Sequence, residues 1–237
     1  MKFSRIVGLG CSWMWGDELV DPALGDVHAV DPRNTEYREK NCFLGLLGQH
    51  YNVPVSNLGF PGGSLQFCIY NYIWWTENQV LTPDTLFLVG LPDASRMSWF
   101  DPGRPKNPGD QPFNNYQHSL WLRNPAKKNY DNSNTEKRIN DWAMLSKLYD
   151  VLTSCPDAYR FKFKQAVMFF EGQRQNHPVR QFNILPPPCL VKNDSLLWPS
   201  ECFAGWLSAN DLKPQRHPNE IGHQKLANRL ISQLDML

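Results

Sequence analysis

The sequence predicts an α/β fold of three layers, with helices covering both faces of a central parallel sheet. Short apolar runs alternate with segments of helical period, the pattern of strand–helix–strand units. The run at residues 85–91, Thr-Leu-Phe-Leu-Val-Gly-Leu, is unbroken and apolar, as a central parallel strand covered on both faces requires. The 237-residue length suits a single domain of this kind, with a core large enough to need no staples.

The elements follow in order. Residues 5–9 form an apolar run ending at Gly10, a buried first strand. A helix is expected over 35–51, with Phe43, Leu46 and Leu47 on its inner face. Residues 53–58 read as a second strand. Ser64 then reads as an N-cap, and Leu65, Cys68, Ile69, Tyr72, Ile73 and Thr76 follow at helical spacing, so this helix is expected to be mostly buried. After the strand at 85–91, residues 98–134 turn to Pro, Asn, Gly, Lys and Asp, a loop insertion with too few aliphatic residues for its own core. A helix is expected over 135–152, and weaker strands over 166–170 and 182–185. Pro218 sits at a first-turn position of the last helix, whose apolar stripe is Ala227, Leu230, Ile231 and Leu234.

Composition narrows the function. Lys plus Arg is 24 against 23 for Asp plus Glu, which argues against a nucleic-acid footprint. No run approaches the roughly 20 apolar residues of a membrane helix. Residues 6–10 are too short and Gly-rich for a signal-peptide core, so a cytoplasmic location is expected. Cys11, Cys42, Cys68, Cys155, Cys189 and Cys202 form no C-x-x-C pair and are scattered through apolar runs, which fits buried free thiols. His28, His50, His118, His177, His217 and His223 include no H-x-x-x-H pair, so a metal-dependent hydrolase ranks last and no metal or other cofactor is expected.

In a parallel sheet, ligands bind beyond the carboxyl ends of the strands. Ser12 lies there, in the Gly-flanked turn Gly10-Cys11-Ser12-Trp13-Met14-Trp15-Gly16-Asp17-Glu18. A serine so placed suits a nucleophile whose own N–H helps hold an oxyanion, although an isolated serine reads more readily as a turn cap. The turn lacks the third glycine of a dinucleotide loop. Asn57-Leu58-Gly59-Phe60-Pro61-Gly62-Gly63-Ser64 leads into a helix with backbone donors free, though it also reads as a plain strand-to-helix turn. His217-Pro218-Asn219-Glu220-Ile221-Gly222-His223 opens the last helix. Its rigid His217 suits a general base, whereas His223, one turn further in, reads as structural.

These three blocks, in this order, resemble the SGNH, or GDSL-like, hydrolase superfamily, and the first is similar to that of bacteriophage-encoded members. The resemblance implies an SGNH-hydrolase, flavodoxin-like sheet and a serine ester hydrolase acting on a small-molecule or carbohydrate ester. It implies Ser12 as nucleophile, His217 as base, Asp211 as the triad acid, and the N–H groups of Ser12 and Gly62 as the oxyanion hole. The chain also departs from the family. Cys11 stands where Asp is frequent. Gly90-Leu91-Pro92-Asp93 stands where Gly-x-Asn-Asp is usual, and Pro92 has no N–H to give. Ser95 and Arg96 are the nearest polar replacements. Pro214 stands where the triad acid is usual, leaving Asp211 further upstream or a Ser–His dyad oriented by a backbone carbonyl. Trp13, Trp15, Trp99 and Trp121 are candidates to stack on a sugar or acyl group. Pro92 and the displaced acid keep open a catalytically impaired binding or virion-associated protein.

Overall fold

The computed structural model describes residues 3–94, 96, 156–191, 193–214 and 217–236. The expected insertion at 98–134, the expected helix at 135–152, Ser95, Trp99, Trp121, His118 and Cys155 lie outside them.

Among the described residues, five parallel strands form one sheet: β1 (Arg5–Leu9), β2 (Val55–Asn57), β3 (Thr85–Leu91), β4 (Val179–Asn183) and β5 (Leu196–Leu197). Their spatial order is β2-β1-β3-β4-β5, and every pairing is parallel. The order reverses direction at β1, and such a switch point opens a crevice at the strands' carboxyl ends. β3 is buried along its whole length, as its apolar run predicts.

Among the described residues, the α-helices are α1 (Ser12–Trp15), α2 (Thr35–Asn41), α3 (Phe43–Tyr51), α4 (Leu65–Asn78), α5 (Pro156–Gly172) and α6 (Glu220–Asp235). Alternation along the strands feeds two cores. Ile6, Leu86, Leu88 and Phe182 face Phe43, Leu44 and Leu47 of α3 with Leu226, Leu230 and Leu234 of α6. Val7, Phe87, Val89 and Val179 face Cys68 and Tyr72 of α4 with Phe163, Val167 and Phe170 of α5. This is the three-layer α/β/α sandwich that the sequence predicts. No described helix is long and apolar enough to cross a membrane.

Four details differ from expectation. The helix expected over 35–51 is two, because Cys42 adopts extended backbone (φ −69°, ψ 157°) between α2 and α3. The break seats Gly45 so close to α2 that a side chain there would meet the Glu39 carbonyl. Leu44 rather than Leu46 then joins the buried face. In α4 Leu65, Cys68 and Tyr72 are buried as expected, and Phe67, Asn71 and Trp75 join them, while Ile73 is exposed. The strand expected at 166–170 is helix: Phe163, Ala166, Val167 and Phe170 are buried at the spacing of one helix face, while Met168 is exposed. Pro218 precedes the cap of α6 instead of lying in its first turn, and Asn219 caps it, its side chain accepting from the Gly222 amide at 3.0 Å.

Candidate active site

The crevice at the switch point is built from three turns. The first follows β1. Cys11 is extended and caps α1, a single helical turn that Gly16 ends in the left-handed region (φ +83°), with its N–H on the Ser12 carbonyl. The Asp17 amide also donates to that carbonyl, at 2.9 Å. Glu18 follows with φ +67°, a conformation that costs a non-glycine residue about 1–2 kcal/mol. Arg38 braces the turn: its buried guanidinium donates to the Trp15 carbonyl at 3.0 Å and lies 3.7 Å over the Trp15 ring. Asn57 braces it from β2, donating to the Met14 carbonyl at 2.9 Å.

The second turn follows β2 and lies directly on the first. Phe60 N–H donates to the Gly10 carbonyl at 3.2 Å. A side chain at Gly63 would press its Cβ to 2.7 Å from that same carbonyl, so only glycine allows the approach. Gly62 is left-handed (φ +78°), and neither its amide nor that of Ser12 donates to a described backbone carbonyl. Buried Arg96, beyond β3, donates to the Gly63 carbonyl at 3.3 Å and so supports this turn. Pro92 is buried.

The third turn carries His217. Lys213 N–H donates to the His217 carbonyl at 2.8 Å, and the Asn219 amide donates to the Asp211 carbonyl at 2.8 Å. A bridge between Leu212 and Pro218 completes the clasp. His217 is therefore held by its bond from Lys213 and, through Pro218 and Asn219, by Leu212 and Asp211.

These turns bring together Ser12 and His217, which the sequence singles out. His217 Nε2 lies 2.9 Å from Ser12 Oγ. Asp211 is not brought to the ring. Its carboxylate accepts from Ser208 N–H at 2.8 Å, Ser208 Oγ at 2.7 Å and Lys225 Nζ at 2.8 Å, and the Lys225 and Ser208 bonds hold its pKa down at about 2. The group on the far side of the imidazole is Glu18, whose Oε2 lies 2.9 Å from Nδ1 and also accepts the His217 backbone N–H at 3.2 Å. A carboxylate on Nδ1 places the proton there and leaves Nε2 free to accept from the Ser12 hydroxyl. A second carboxylate, Asp17, has Oδ2 3.7 Å from Nε2. Burial is matched: His217, Glu18 and Asp17 side chains are 15%, 15% and 17% exposed, and Ser12 is buried.

The chain is similar to a member of the lipolytic protein G-D-S-L family from Veillonella parvula DSM 2008, at 14% identity over 98% of this chain and 99% of that one, with a TM-score of 0.48. A putative lipolytic protein of the G-D-S-L family from Desulfitobacterium hafniense DCB-2 is similar at 12% identity over 97% and 98%, with a TM-score of 0.42. A carbohydrate esterase whose active site is described as having divergent catalytic and non-catalytic binding functions is similar at 15% identity, over 98% of this chain and 65% of that one, with a TM-score of 0.40. No protein-family model and no curated protein matches the chain.

Among the described residues, the other sequence candidates have partners within the fold. His223 is buried, stacks on Phe43 and accepts the Phe43 N–H on Nδ1 at 3.2 Å. Trp13 packs edge-on against Phe203, and the face of Trp15 is taken by Arg38, so neither is a bare stacking platform. Cys11, Cys42, Cys68, Cys189 and Cys202 are free thiols. Among the described residues, no group of three or more His, Cys, Asp or Glu side chains converges as metal ligands do.

Sequence reasoning missed Glu18. The available signal was Gly16-Asp17-Glu18 directly after the Ser12 turn: a glycine able to reverse the chain, then two acids.

Proposed function

We propose that this chain is a serine ester hydrolase that works through an acyl-enzyme, with Ser12, His217 and Glu18 as its triad. The observation that carries the reading is the continuous line from Ser12 Oγ through both imidazole nitrogens to Glu18 Oε2, with both contacts at 2.9 Å. That is the order of groups acyl transfer requires: nucleophile, base, orienting acid.

The steps follow from the geometry. Ser12 Oγ attacks the ester carbonyl while His217 Nε2 takes its proton. Glu18 stabilises the imidazolium and holds the ring in place. The N–H groups of Ser12 and Gly62 donate to the oxyanion of the tetrahedral intermediate. His217 then gives the proton to the leaving alkoxide, and the alcohol departs from the acyl-enzyme. Water enters the vacated position, loses a proton to Nε2 and attacks the acyl carbon, which frees Ser12. Asp211 acts through backbone, holding the turn that carries His217. The substrate class proposed is a small-molecule or carbohydrate ester, consistent with the likeness to lipolytic proteins and a carbohydrate esterase.

The test is hydrolysis of 4-nitrophenyl acetate by wild type, Ser12→Ala and His217→Ala. Turnover lost in both variants supports the reading; turnover equal in all three contradicts it. A second reading, a binding or virion-associated protein of impaired activity, is favoured by Pro92, which supplies no N–H where a third oxyanion donor would stand. One lost donor costs about 10²–10³ in turnover. Saturable ester binding with no turnover in the wild type would favour this second reading.

A further inference from the structure

The Ser–His–Glu line leaves Asp17 unused, and its position is particular. Two interactions fix it: its amide is bonded to the Ser12 carbonyl at 2.9 Å, and its Oδ1 accepts the Glu18 amide at 3.2 Å. Oδ2 is turned toward the imidazole, 3.7 Å from Nε2. Nε2 is the nitrogen that hands a proton to the departing alcohol in the acyl-transfer reading, on which this inference rests. That alcohol oxygen must come within hydrogen-bonding distance of Nε2, roughly 2.7–3.1 Å. With Oδ2 3.7 Å from that same nitrogen, the Asp17 carboxylate is within reach of a group one or two atoms beyond the alcohol oxygen.

We propose that Asp17 is a specificity-determining residue that reads the alcohol half of the ester. A carboxylate offers acceptors only. An alkyl chain pressed on it strips water from a charge and returns nothing. A hydroxyl on the carbon next to the ester-bearing carbon donates to Oδ2 and replaces that water with a charge-assisted bond. The substrate class so defined is the ester of a vicinal diol, as in a polyol or a sugar. The chemistry balances as in any ester hydrolysis: the acyl carbon–oxygen bond to the alcohol breaks, the bond to Ser12 forms, and the proton passes from Ser12 through Nε2 to the alcohol. Asp17 exchanges no proton; it accepts one hydrogen bond.

A matched pair of esters tests this with the full chain. 2-Hydroxyethyl acetate and propyl acetate share size and acyl group and differ only in the terminal hydroxyl. In the wild type, kcat/KM for the hydroxyl ester should exceed that for propyl acetate by about tenfold or more, the usual worth of a bond to a charged group. Asp17→Ala should bring the ratio close to unity. Asp17→Asn, which keeps shape and one acceptor but no charge, should fall between. A general disturbance of the turn would lower both esters together and leave the ratio alone. A wild-type ratio near unity, or a preference that survives in Asp17→Ala, overturns the assignment. Absence of Ser12-dependent turnover of either ester overturns the acyl-transfer reading itself, and the assignment with it.

Discussion

Glu18 and Asp211 divide two jobs that sequence spacing would give to one acid. Glu18 touches the imidazole, whereas Asp211 is tied to Ser208 and Lys225. Their variants should separate accordingly. Glu18→Gln keeps a hydrogen-bonding group at Nδ1 but removes the charge and permits the wrong tautomer, so kcat should fall by up to about 10⁴-fold. Asp211→Asn should lower the melting temperature while leaving kcat far closer to wild type. Steady-state kinetics beside thermal melts of both variants checks the division, and the reverse pattern would return the acid's role to Asp211. Ser12 and His217 were legible in the sequence because glycines, proline and a cap mark their turns. Glu18 was not, because its role depends on a left-handed backbone at a non-glycine residue, which no local pattern announces.

At the scale of elements, the turn after β2 is where backbone conformation and function meet most closely. Gly62→Ala places a side chain at φ +78°, and about 1–2 kcal/mol of strain should either destabilise the protein or swing the amide away from its left-handed position. The expected result is a fall in kcat with KM little changed, since the oxyanion forms only along the reaction path. Kinetics on this variant and on Ser64→Ala gives the contrast. The latter loses the cap on the Phe67 N–H of α4, about 1 kcal/mol, and should affect melting more than catalysis. Strong elements were readable here: β3 from its unbroken apolar run, α6 from its stripe and cap. The misread segment at 166–170 is instructive. Five apolar residues carry no period by themselves, and the helix becomes visible only when Phe163 and the start at Pro156-Asp157 are counted with them. β5 is two residues long and exists because its register on β4 completes the sheet edge, a tertiary cause invisible to local pattern.

For the molecule as a whole, His223 links pH to stability. It joins α6 to the start of α3 by accepting the Phe43 N–H, which requires an unprotonated Nδ1. Burial, helped by the nearby His217, pushes its pKa from 6.5 down to about 3. Between those values the unfolded chain binds a proton that the folded chain does not. The stabilisation is therefore complete above about pH 6.5 and drains as pH falls toward about 3. Melting temperature measured from about pH 7 down to about pH 4 should decline, and the decline should be shallower in His223→Asn. An equally steep slope in both proteins would assign acid sensitivity elsewhere. The layered fold places His223 in the core between α3 and α6, while His217 stands beside Ser12. On the proposed function, two imidazoles on one short segment serve stability and chemistry separately.

The central claim is that Ser12 is made nucleophilic by His217. Intact-mass and peptide-level mass spectrometry after exposure to a fluorophosphonate tests it most directly. One adduct per chain on Ser12, lost in His217→Ala, is the predicted result. An unmodified wild type, or an adduct that persists when Ser12 is alanine, would contradict it.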